Sequence, residues 1–182
     1  MSNTPADAAA VVRFWRDAGP ARWFRKDEAF DAGFRERFLA LHERAAAGQL
    51  DHWAADAEGA LALLILLDQF PRNAFRGSPR MYASDAQARR IARAAHERGL
   101  DLQVPADLRN FMVLPLMHSE DAADQEVSVA MTAGLGGEAH RFALHHRDLI
   151  LRFGRFPHRN ALLGRTSTPG EIRFLAEGGF SG

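Results

Sequence analysis

Apolar residues recur along this chain at helical rather than alternating spacing. Phe30, Phe34, Phe38 and Leu41 fall on one face of a segment that predicts a helix from about Lys26 to Ala47, with Gly48 beyond it. A first helix is predicted from about Asp7 to Asp17, ended by Gly19-Pro20. Leu61 to Leu67 is apolar all round, which predicts a helix buried on every side. Ser84 with Gln87 reads as a capping box opening a helix that ends near Gly99. Pro105 suits the first turn of the next helix, and an acidic helix follows Ser119. Glu138 to Phe153 is predicted as a helix stopped by Gly154. A last helix opens with Thr168 as N-cap, Pro169 in the first turn and Glu171 completing the cap. No stretch alternates as a half-buried strand would, and Ala, Leu, Arg and Glu favour helix. The expectation is an all-α fold of about eight helices in antiparallel pairs, either a tetratricopeptide-like array or a bundle.

Length and composition sharpen that picture only a little. A chain of 182 residues suits one domain spanning 1–182. At that size roughly 70% of the unfolded surface can be buried. The absence of cysteine removes disulfides, thiolate metal sites and cysteine nucleophiles. The opening residues lack the basic and apolar regions of a signal peptide, and no apolar run approaches membrane-spanning length. These features point to a cytoplasmic protein that does not enter a membrane.

Charge balances at 23 basic against 23 acidic residues but is unevenly placed. Residues 110–140 carry Glu120, Asp121, Asp124, Glu126 and Glu138 with no Lys or Arg. Residues 141–173 carry seven arginines against Asp148 and Glu171. That suits a basic face for an anion, or two halves that attract each other. Zero net charge argues against nucleic acid as partner. Lys26 is the only lysine, so a single arginine says less here than usual.

The candidate chemistry sits at corners. Phe70-Pro71-Arg72-Asn73 is echoed 86 residues later by Phe156-Pro157-His158-Arg159-Asn160. Proline pushes its predecessor out of the helical region, so helices should break near Phe70 and Phe156, with Asn capping the next helical turn. Asp68, with Gln69 beside it, closes an apolar run at the negative end of a helix. A carboxylate there calls for a cation, and Arg72, Arg155 and Arg159 are the candidates. Pro115 interrupts a second apolar helix just before His118, Ser119 and Glu120, where an imidazole and a carboxylate could form an acid–base pair. No zinc signature, phosphate-binding loop, nucleophile elbow or dinucleotide turn occurs, so the motifs name neither metal nor cofactor.

Trp23-Phe24, LLDQFPRNAFRG, LPLMHSEDAADQE and HRDLILRFGRFPHRNALLGRTSTPGE together resemble the bacterial domain-of-unknown-function family 924, from about Val11 to Phe180. The resemblance implies tetratricopeptide-like helical pairs and implies no particular activity. It maps motif positions onto Asp68, Gln69, Arg72 and Asn73; onto His118, Ser119, Glu120 and Gln125; and onto His146, Arg152, Arg155, His158, Arg159, Asn160 and Arg165. Gly170 departs from the family's usual Ser-Thr-Pro-Glu-Glu.

Three function classes emerge, of which a nucleic-acid binder using Arg141 to Arg173, with Phe153 and Phe156 as stacking groups, is disfavoured by the zero net charge. The first is a small anionic-ligand site, binding or acid–base, with His118, Glu120, His158 and Asp68 handling protons and Arg72, Arg155, Arg159, Gln69 and Asn160 holding the ligand. The second is a protein-interaction module in which the same residues only brace the fold.

Overall fold

The computed structural model describes residues 5–181. Helix accounts for 72% of it, and no strand occurs among the described residues. In chain order the helices are α1 (Ala6–Ala18), α2 (Pro20–Trp23), α3 (Glu28–Ala46), α4 (Ala57–Leu64), α5 (Phe70–Ala74), α6 (Asp85–Glu97), α7 (Asn110–Met117), α8 (Ala122–Ala133), α9 (Gly137–Phe153) and α10 (Pro169–Ala176). A wide π turn, Ile65–Gln69, joins α4 to α5 in one rod. The rod lies at the centre, with α1, α3, α6 and α7 packed against it. Beyond α7, α8 packs on α7 and α9 packs on α8. Every residue of Leu61–Leu67 is buried, as an all-round apolar helix requires.

Two hydrophobic clusters result. The larger contains Trp15, Phe34, Leu61, Phe70 and Phe111. The smaller contains Leu149, Ile150 and Phe156, with Phe153, Phe174 and Phe180 against it. The two Phe-Pro corners therefore anchor in different clusters.

Local signals place several ends well. Asp27 caps α3 by accepting from Phe30 N–H at 3.1 Å, and Asp56 caps α4 through Gly59 N–H at 2.8 Å. Thr168 and Glu171 form the expected capping box. Other expectations are corrected. Ser84 makes no cap; its hydroxyl donates to the Leu67 carbonyl at 2.6 Å, and Gln87 reaches the Ala45 carbonyl. Pro105 opens only a turn, and α7 begins at Asn110. The short helix α2, started by Pro20, is absent from the expected elements.

α4 starts against the 3-10 turn Asp51–Ala55. A Cβ on Gly59 would lie 2.0 Å from the Trp53 carbonyl oxygen, a backbone atom that can move only with its turn. Gly59→Ala is therefore expected to cost about 1–3 kcal/mol. Chemical denaturation reads this directly, and an unchanged midpoint would mean that the turn yields freely.

Candidate functional site

The site begins with how the central rod passes Pro71. Phe70 stays helical at φ −54°, ψ −49°, so the helix does not break there as the proline rule predicts. The π turn widens the rod instead, and Phe70 N–H bonds to the Ile65 carbonyl. Pro71 has no N–H to give, and side chains serve the carbonyls ahead of it. His42 Nδ1 donates to Leu66 at 2.9 Å, Ser84 Oγ to Leu67 at 2.6 Å, and Arg72 Nη1 to Asp68 at 2.8 Å. Proline's penalty is thus offset by tertiary contacts.

The widened turn buries Asp68 at 1% exposure among three donors. His118 Nδ1 approaches Oδ1 at 2.8 Å, Arg72 Nη1 the same oxygen at 3.0 Å, and Gln69 Nε2 reaches Oδ2 at 2.6 Å. Of the three arginines proposed from sequence, Arg72 is the one that meets this carboxylate. Arg72 also forks onto Asp85 at 2.9 and 3.0 Å.

His118 is placed by the end of α7. Gln125, fully buried, donates its amide to the carbonyls of Met117 at 2.8 Å and Ser119 at 2.6 Å. Ser119 Oγ donates to Asp124, which Arg89 and Arg93 also hold. The corner is therefore fixed from below. Glu120 turns the other way: it accepts from Phe156 N–H at 2.8 Å and from Arg165 in a fork at 2.7 and 2.9 Å.

The second corner breaks as expected. Gly154 takes the left-handed conformation, φ 69°, and Phe156 is extended at φ −86°, ψ 109°. Arg159 then crosses to the first corner. Its Nη2 donates to the His118 carbonyl at 3.0 Å and its Nη1 lies 3.4 Å from Asp85. Its guanidinium covers the rings of Tyr82 and Phe156. Arg155 points away, forked onto Glu171 at 2.6 and 2.8 Å and onto the Thr166 carbonyl. Neither asparagine caps a helix: Asn73 donates to Asp31 and Asn160 to Ser167. His158 packs between Phe156 and Phe180, its Nδ1 buried without a partner among the described residues.

Electrostatics follow from this pairing. Burial pushes the Asp68 carboxyl up, but the Arg72 guanidinium and His118 outweigh it and hold it below its usual value. Burial lowers the His118 pKa despite Asp68, so its ring is mainly neutral at pH 7. With Asp68 ionised, the shared proton sits on Nδ1, leaving Nε2 as a bare lone pair. Nε2 has no partner among the described residues and is not sealed from water; the side chain is 16% exposed. Burial takes His146 down to about 3 and His158 to about 4. Burial raises Glu120, but the Arg165 hydrogen bonds prevail and lower it. Asp68, Asp85 and Glu120 thus face Arg72, Arg159 and Arg165 in a balanced set.

His118, Asp68, Gln69, Arg72 and Arg159 are brought together, and Glu120 reaches from the His118 corner to the second one, which carries His158 and Asn160. Arg155 is not brought to Asp68. Sequence reasoning missed Asp85, which both arginines share, and Tyr82 beneath them. Two cavities, about 210 Å³ beside Phe14 and Phe30 and about 540 Å³ beside Leu61 and Pro105, lie away from this cluster. No group of three or more His, Asp or Glu side chains suited to a metal ion occurs among the described residues.

Comparison with known proteins agrees with the motifs. No curated protein matches the chain. A solved structure from Agrobacterium tumefaciens, described as a protein of unknown function, superposes with a TM-score of 0.92. It is 50% identical over 94% of this chain and 98% of its own. The profile of a bacterial protein family of unknown function, DUF924, matches residues 11–179. With nearly the whole length matched, and with the Asp68, His118 and Arg159 segments inside it, the chain belongs to the DUF924 family.

Proposed function

We propose that the cluster around His118 is a small-molecule site that moves a proton on, or binds, a ligand bearing an oxyanion. One observation carries this reading: a buried carboxylate fixes His118 Nδ1 while Nε2 stays open and unpartnered. A ring so held is oriented as a general base, with Asp68 stabilising the imidazolium that forms after proton uptake. Arg72 and Arg159 supply the positive charge beside it, as guanidiniums do for carboxylate and phosphate. Glu120, with both oxygens engaged, and Arg155, held by Glu171, support the second corner rather than the ligand.

The competing reading is a helical interaction module in which the cluster only braces the fold. Its support is that each guanidinium of the cluster already has a carboxylate partner. The test is to titrate 15N-labelled protein with small carboxylates and phosphates at neutral pH. The expected result is a saturable shift of the His118 ring nitrogens, weakened roughly tenfold in Arg159→Leu. His118→Ala should abolish binding while unfolding stays cooperative. No response in the wild type would favour the bracing reading.

A further inference from the structure

The two guanidiniums next to His118 do not sit equally well in the resting protein. Both terminal nitrogens of Arg72 are well held: they fork onto Asp85 at 2.9 and 3.0 Å, and Nη1 also meets Asp68. Arg159 is less well held. Its single contact with Asp85 is long, 3.4 Å, and its Nε lies buried without any partner among the described residues. The Arg159 side chain is only 8% exposed, so water does not replace the missing acceptor. A buried guanidinium N–H with no acceptor costs free energy and is uncommon. Asp85 is more accessible, at 21%, and stands on the first turn of α6. A carboxylate is thus well fitted to one arginine and poorly fitted to the other.

We propose that the Asp85 carboxylate is a built-in stand-in for the oxyanion of the ligand, which displaces it from Arg72 and Arg159 on binding. The inference rests on the reading of this cluster as an oxyanion site. An oxyanion in that place lies one guanidinium away from the Asp68 carboxylate and from the backbone carbonyl of His118. Arg72 bridges Asp85 to Asp68, the partner of His118, and Arg159 bridges Asp85 to the His118 carbonyl. A free ligand, unlike a side chain tethered to α6, can also meet Arg159 Nε. The tether gives Asp85 a high effective concentration, so the resting protein binds weakly until a ligand outcompetes it.

The experiment compares wild type, Asp85→Ala and Asp85→Asn by calorimetric titration with inorganic phosphate and, separately, acetate. The expected result is binding by wild type and binding roughly tenfold or more tighter in both variants. The arm with the larger gain tells whether the site prefers phosphate or carboxylate. Variants that bind no tighter than wild type would overturn the stand-in and leave the oxyanion site standing. Binding by neither wild type nor folded variants would overturn both. Binding by the variants alone would overturn displacement, because no ligand then moves Asp85 in the intact protein. If neither variant folds, the wild-type Arg159 Nε resonance decides. A phosphate-dependent shift supports displacement, and an unmoved signal at the highest phosphate overturns it.

Discussion

Asp68→Ala is expected to destabilise the protein by about 3–5 kcal/mol, the range found when one partner of a buried ion pair is removed. The substitution takes more than a contact. Asp68 is 1% exposed and receives His118, Arg72 and Gln69 at once. Without it, Arg72 keeps Asp85, but His118 Nδ1 and the Gln69 amide lose their acceptor in a site short of water. For a chain of this length such a loss lowers Tm by roughly 6–20 °C. Urea denaturation at pH 7 measures it. A loss below about 1 kcal/mol would show that neighbouring groups reorganise at little expense, which would weaken the argument that Asp68 fixes the His118 ring.

Stability should also fall steeply in mild acid, through groups other than the paired carboxylates. His146 and His158 have folded pKa values of about 3 and about 4 against an ordinary 6.5, chiefly because burial disfavours the imidazolium. His118 and His42 are lowered for the same leading reason. Below about pH 6.5 the unfolded chain takes up protons that the folded chain refuses, so stability drops as pH falls toward the folded values. One pKa unit corresponds to about 1.4 kcal/mol, and His158 is discounted for its partial exposure. The sum by about pH 4 is on the order of several kcal/mol. The carboxylates act in a later window. Asp68, Glu120 and Glu171 are lowered, so their contribution persists above their ordinary values and disappears only as pH falls through the folded ones. Urea midpoints between about pH 7 and 4.5 should therefore fall, and His146→Phe and His158→Phe should flatten the slope. Midpoints flat over that interval in the wild type would contradict the buried-neutral assignment.

What could be read from sequence was what chemistry decides locally. Gly154 ends α9 because only glycine takes that left-handed position cheaply, and the Thr168–Glu171 cap is closed within four residues. Asp68 called for a cation from its own placement, and Arg72, one helical turn on, supplied it. What could not be read was decided at long range. Phe70 remained helical because His42 and Ser84 took up nearby carbonyls from 24 and 17 residues away, and a rule about adjacent residues cannot see those donors. Asp85 looked like any acid in a first turn, since its partners stand 13 and 74 residues away. Arg155 was recognised by type and misassigned by partner, because Glu171 read only as a capping residue.

The widened turn at Ile65–Gln69 also bears on how chain length relates to chemistry. A π turn holds one residue more than an α turn while leaving the flanking helix faces aligned. A relative one residue shorter between Ala57 and Pro71 would keep α4 and α5 packed as here. Its carbonyls would close back into the helix, out of reach of the side chains that grip them, and Asp68 would lose the pitch that presents it to His118. A single-residue gap at this place would therefore separate chains that share the fold from chains that share the cluster.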